Sequence, residues 1–343
     1  MSLFKKIFDR FSTSPDAASP APEHAVLIRF HYGRSDLTAL HALEDEMTRA
    51  VADAGAGEVD GHEVSVGGGD ATIYAYGHDA NALFRSIRPA LLNAAWMDEA
   101  RVTLRYGPPE DGIASIDVVV RPLKFPFPVE TMPGDRAVER WQALRAEGGS
   151  TPVILGDLED REQLWEGWDS DEPALDELLA RADAIDVDTW LRERERENAD
   201  RLAEFSDGVW PTSKRAASTF LRVPFSDDGT PRSGIGVALL PTARHWEAAA
   251  WLRFGGWNAC PEPQDHVALW RSWAERHGAQ VASVTGSVVE FVVDRPPATA
   301  EEALALAREH FLYCDDLVIQ GYGTLEALAA ALLDAPVWVF WWD

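Results

Sequence analysis

Cysteine is nearly missing: Cys260 and Cys314 are two in 343 residues, too few for a disulfide-built secreted scaffold. Basic residues are scarce too. Against 57 Asp and Glu stand 31 Lys and Arg, a formal charge of −26. Contact with a phosphate backbone needs clustered cations, so this balance argues against nucleic acid and favours a basic or neutral partner. No apolar run reaches the length of a membrane span, and no stretch has the layout of a cleavable leader, which points to a cytoplasmic chain. Apolar material is plentiful: 46% hydrophobic residues and 14 tryptophans can build the cores of two domains.

The opening MSLFKKIFDRF puts Leu3, Phe4, Ile7, Phe8 and Phe11 on one helical stripe, with Lys5, Lys6 and Arg10 away from it. So short a helix binds a lipid surface only marginally, and the Pro/Ser/Ala-rich STSPDAASPAPE follows as a flexible linker. Residues 1–23 therefore read as a flexible tail, ahead of a partner-docking helix or a peripheral membrane anchor.

A β-rich run, AVLIRFHY (25–32), precedes a predicted helix over 36–55 in which Leu37, Leu40, Leu43, Met47 and Val51 recur at helical spacing. Asp36 is its expected cap and Gly55 its stop. Two strand-like runs, EVDGHEVSV and ATIYAYG, flank the turn GGGD (67–70). A second helix is expected over 79–95 and a strand over 101–107. The order β-α-β-β-α-β over 24–122 predicts a ferredoxin-like sandwich, with SIDVVVRP (115–122) as an added strand.

Residues 123–233 read as linker and acidic helical connector, since 157–207 holds 19 acidic against 6 basic residues. From 234 to 343 a second α+β sandwich is expected: strands at 234–241 and 246–254, a helix over 264–277, a hairpin around Gly286 and Ser287, and two helices, the first with the capping-box spacing Thr299-x-x-Glu302. The chain then closes on PVWVFWWD, a strand with Trp338, Phe340 and Trp342 on one face and Val337, Val339 and Trp341 on the other. Both faces are apolar, so the second needs a neighbour: the first module, the acidic connector or a second copy of the chain. The fold class is thus α+β, two βαββαβ-type sandwiches joined by an acidic connector.

The segments GGWNACPEPQDHVALWRSW, RPPATAEEALALAREHFLYCDDLV, GTLEALAAALL and WVFWWD, with PVILGD upstream, resemble the bacterial domain of unknown function 4253 family over 234–343. The module from His24 to Pro122, with GEVDGHEV and YGHDANALF, is similar to a small ferredoxin-like module of uncharacterised bacterial proteins. The resemblance implies a domain boundary and a bacterial origin, and brings no activity.

NACPEPQDH is the most reactive-looking stretch. Cys260 and His266 are a conceivable thiol–base pair, with polar help from Asn258 or Tyr313. A thiol nucleophile needs its base within hydrogen-bond reach, and a gap of six residues across two prolines does not guarantee it. Cys260, His266, His310 and Cys314 also form a four-ligand zinc set on paper, His310 and Cys314 sharing a helix face. Against both stands the ordinary role of a buried structural cysteine. His78 and Asp79 read as a helix cap, and GGGD lacks the lysine and the strand-to-helix setting of a phosphate loop. The paired Asp315 and Asp316 read as a solvated helix end.

No cofactor is implied. The leading expectation is a non-enzymatic protein that sequesters or neutralises a basic protein partner, as immunity proteins do. An enzyme with a cleft around Cys260 and His266, or a zinc-binding domain, is the alternative. A homo-oligomer stays open.

Overall fold

In AVLIRFHY the residues Val26, Ile28 and Phe30 share one side of a pleated strand, and all three are buried in β1 (His24–His31). A computed structural model describes residues 24–65, 69–110, 112–166, 173–206, 208–212 and 220–343. The helix expected over residues 1–11 and the first two glycines of GGGD lie outside them. The chain divides after Lys124 into two units.

In the first unit α1 (Thr38–Ala54) buries Leu40, Leu43, Met47 and Val51 and stops at Gly55, whose φ of 58° is left-handed. Asp36 holds the start through Oδ1, which accepts from the amide and the hydroxyl of Thr38. After β2 (Glu58–Val64) and β3 (Asp70–Gly77), α2 (Ala80–Asn93) starts at Asp79, whose carboxylate accepts from the amides of Asn81 and Ala82. The unit closes with β4 (Arg101–Arg105) and β5 (Ser115–Val119). The sheet order is β2-β3-β1-β4-β5, every pair antiparallel. Its other face is polar: Arg29 donates to the Thr103 hydroxyl at 3.0 Å, which donates to Asp117 at 2.7 Å.

The second unit begins far upstream of residue 234. Its elements are β6 (Val129–Met132), α3 (Gly134–Glu147), β7 (Thr151–Gly156), α4 (Leu158–Glu166), α5 (Leu175–Asp183), α6 (Val187–Glu197), α7 (Ala199–Glu204) and β8 (Ile235–Leu240). They continue as α8 (Ala248–Leu252), α9 (Pro263–His277), β9 (Ala279–Val284), β10 (Val288–Val293), α10 (Ala300–Tyr313), α11 (Leu325–Leu332) and β11 (Val337–Trp341). One sheet runs β11-β10-β9-β7-β8-β6, antiparallel except for the parallel β7–β9 pair.

Three expectations are corrected here. Residues 123–233 are not a connector: β6 and β7 are strands of the second sheet, and α5 and α6 pack on α9 and α10 of the same unit. The run 246–254 is a helical turn and α8, because three consecutive alanines favour helix and an apolar run carries no strand period. The sheet is covered on both faces. Trp338, Phe340 and Trp342 enter the core built on α8 to α11, where Phe340 stacks on Trp273 at 5.4 Å between ring centroids. Val337, with Val339 packed beside it, belongs to a second hydrophobic cluster on the other face, which also holds Ala137, Trp141 and Leu144 of α3 and Leu221 and Val223. The cover of this face thus comes from residues of the 123–233 segment. Trp341 departs from alternation and lies over Gly321 of a π-helical turn (Leu317–Tyr322), where an added Cβ would sit 3.0 Å from the indole.

Glu290 ties this arrangement together from mid-sheet. It is fully buried on β10, accepts from the Ser283 hydroxyl at 2.6 Å and from the amides of Arg222 and Val223, and so fixes the segment that covers the second face. Burial raises its pKa. No helix among the described residues is long and apolar enough to cross a membrane.

Candidate functional site

Pro263 at the first position of α9 pre-sets its backbone, and Glu262 and Asp265 close a reciprocal capping box around it. His266 then falls in the first turn facing inward, while Cys260 lies in the turn just before. Tyr313 comes from the last residue of α10. The three meet: Cys260 Sγ is 3.4 Å from His266 Nε2, His266 Nδ1 is 2.7 Å from the Tyr313 hydroxyl, and Trp270 Nε1 donates to that hydroxyl at 2.9 Å.

Counting protons fixes the tautomer. The Trp270 N–H takes one lone pair of the Tyr313 oxygen, and the Pro261 carbonyl beside Nε2 of His266 can only accept, so the ring proton goes to Nε2 and the phenol donates its own to Nδ1. The neutral ring therefore carries its hydrogen on Nε2, directed toward the Pro261 carbonyl and the sulfur. A nitrogen already protonated cannot take the proton of the thiol. Burial pushes His266 down to about 3 and pushes the Cys260 thiol and the Tyr313 phenol well up, so all three are neutral at pH 7.

The cluster is closed. His266 is 0% exposed, Tyr313 1% and Cys260 6%, so hardly any of the cluster meets solvent. Phe254, Trp270 and Trp342 surround the imidazole at 4.9, 5.3 and 5.8 Å between centroids. Trp342, at the end of the terminal strand, is thus one wall of the box.

The paper zinc set is not assembled. His310 lies among Trp273, Trp338 and Phe340, where Nε2 finds no hydrogen-bond partner among the described residues, and Cys314 donates to the Trp341 carbonyl at 2.9 Å. Only Cys260 and His266 of the four touch. Both cysteines are free thiols. Asn258 points elsewhere, donating to the Asp343 carbonyl at 2.8 Å. Asp315 pairs with Arg201, and Asp316 accepts from Gln320.

Two polar constellations escaped the reading of the sequence. At the end of β7, Gly156 turns the chain at φ 76°, and Asp157 and Asp160 hold Arg232. Buried Arg161 donates beside them to the carbonyls of Asp157 and Gly234, which ties the loop before β8 to β7. In the first unit, His41 and Glu44 of α1 face His62 of β2, with His62 Nδ1 2.8 Å from Glu44 Oε1. His41 and Glu44 are three apart in a helix, a spacing that does signal one face. The third member lies across a loop, and nothing local announces it.

No curated protein and no solved structure matches the chain. Residues 236–343, from the second position of β8 to the end, match the family model described as "Domain of unknown function (DUF4253)", so the C-terminal part of this chain is a domain of that family.

Proposed function

We propose that the chain is a non-enzymatic cytoplasmic protein-binding module that engages a basic protein, in the manner of a sequestering or immunity protein. One observation carries this reading: Asp188, Glu193, Glu197, Asp200 and Glu204 on α6 and α7 are exposed and make no ion pair among the described residues. Of the arginines of that layer, Arg201 pairs with Asp315, Arg194 lies over the Trp190 ring and Arg192 reaches Asp186, which leaves exposed Arg196 against the five carboxylates. Unpaired carboxylates on one helical layer steer a cationic partner and fix its register. The groove on this layer, of about 570 Å³, is lined by Thr189, Arg192, Glu193, Glu195, Arg196 and Ala199 and offers no convergent acid–base set.

The antiparallel order β2-β3-β1-β4 with two helices supports reading the first unit as ferredoxin-like, an architecture that hosts many unrelated functions, so the proposal rests on the surface of the second unit. The contact of Cys260, His266 and Tyr313 favours an enzyme as the second reading, and burial argues against it.

The test is capture of a partner from the native host by the full chain and by a variant with the five carboxylates changed to their amides. A basic protein held stoichiometrically by the wild type, lost in high salt and lost by the variant, is the expected result. Cys260→Ala is expected to retain it. Equal retention by the amide variant, or no stoichiometric partner, overturns the proposal. Rapid alkylation of Cys260 in the native protein would instead favour the enzyme.

A further inference from the structure

His62 reaches α1 because β2 is bulged. Val59 pairs with Ala75 and His62 with Ile73, so Asp60 and Gly61 together stand opposite Tyr74. Ala71, Ile73 and Ala75 are the helix-facing residues of β3, and all are buried. Without the extra residue His62 would point to the open face of the sheet; with it, the imidazole turns toward the helix. Gly61 absorbs the bulge at φ 91°, a conformation that a side chain would strain. The bulge thus sets a histidine beside the one helical face that carries both His41 and Glu44.

We propose that His41, Glu44 and His62 form a binding site for one divalent transition-metal ion of the zinc class. Each residue offers one ligand atom, and the three atoms lie within 4.8 Å of one another. Tetrahedral zinc, with bonds of about 2.0–2.1 Å, holds its ligands roughly 3.3 Å apart, so small side-chain rotations close the set. The His41 and His62 rings are already 5.5 Å apart between centroids. Glu44 and His62 have side chains 15% and 18% exposed and form the floor, whereas His41 is exposed and can swing. A water then takes the fourth position on the solvent side. Two imidazoles and one carboxylate select zinc, cobalt, nickel or copper over calcium and magnesium, which want oxygen ligands. The carboxylate and the excess of acidic residues offset the charge of the ion. The site belongs to the first unit and does not depend on the protein-binding reading.

The test uses the full chain stripped with chelator, titrated with zinc by calorimetry and with Co²⁺ by visible absorption. One saturable equivalent is expected, with the d–d bands of low-coordinate cobalt. His41→Ala and Glu44→Gln are each expected to weaken binding at least tenfold. Exposed His41 can be removed without loss of fold, and Glu44→Gln can keep its hydrogen bond to His62 while losing the anionic ligand. His31→Ala, which removes the separate exposed pair with Asp70, is the control expected to leave affinity unchanged. Uptake that does not saturate at one equivalent, or that His41→Ala leaves unaltered, is diffuse binding to the acidic surface and overturns the proposal. A thiolate-to-cobalt band overturns it as well, since it places the ion at Cys260 or Cys314.

Discussion

Trp270 and the Pro261 carbonyl decide what His266 can do. With the indole on one lone pair of the Tyr313 hydroxyl and the carbonyl beside Nε2, the hydroxyl gives its proton to Nδ1, and the nitrogen facing Cys260 is the protonated one. The sequence brings Cys260 and His266 close and names Tyr313, but the tautomer depends on that carbonyl and on an indole that local spacing reads only as helix core. Burial is likewise invisible in NACPEPQDH, because the covering residues Phe254, Trp342 and Tyr313 come from other elements. A pH dependence follows. The folded imidazole titrates near 3 against 6.5 for a free histidine. As pH falls below 6.5 the unfolded chain takes up the proton first, so the contribution of His266 is complete above pH 6.5 and is lost progressively down to about 3. Between pH 7 and 5 the loss is about 2 kcal/mol. Urea melts at the two pH values should show a smaller difference for His266→Gln than for the wild type. This comparison isolates the ring from Asp160 and Glu290, whose raised pKa values act with the opposite sign. An identical difference in both proteins would mean that the ring is not buried neutral.

Among the elements, β11 was the most legible and the least complete. Its alternation and its two apolar faces are plain in PVWVFWWD, and so is the need for a second neighbour. Where that cover comes from is not plain, because the other members of its cluster, Ala137, Trp141 and Leu144 of α3 with Leu221 and Val223, lie far upstream in the chain. The strand itself pairs only with β10, Phe340 opposite Val289 and Trp338 opposite Phe291. Its hold is therefore side-chain packing more than ladder hydrogen bonds, and the two exposure classes along it should separate. Trp338 is 1% exposed and touches Trp273, His277 and His310. Trp338→Ala should cost about 3–5 kcal/mol. Trp341, half-buried over Gly321, should cost about 1–2 kcal/mol as Trp341→Ala. Equal losses in denaturant melts would place the two indoles in the same environment and contradict the departure from alternation.

For the whole chain, the boundary after Lys124 and the order of the second sheet decide what can fold alone. The first unit holds its five strands and both helices within 24–124, and the polar row Arg29, Thr103 and Asp117 leaves its open face without need of a cover. The second unit is different. The family match begins in β8, yet β8 does not touch β9: β7 lies between them, antiparallel to one and parallel to the other. A fragment of residues 234–343 therefore has a slot where β7 belongs. Val153, Ile154 and Leu155, all 0% exposed, leave the middle of the sheet, and the face carrying Ile235, Val237, Ala282 and Val337 loses α3. Losing several fully buried aliphatic side chains at about 2–5 kcal/mol each exceeds the roughly 5–15 kcal/mol that holds a domain. Residues 24–124 and 125–343, made separately, should each melt cooperatively and protect their amides from exchange, whereas 234–343 should behave as an unfolded chain. Cooperative melting of 234–343 near the temperature of 125–343 would show that the sheet closes without β7, and would return the domain boundary to residue 234.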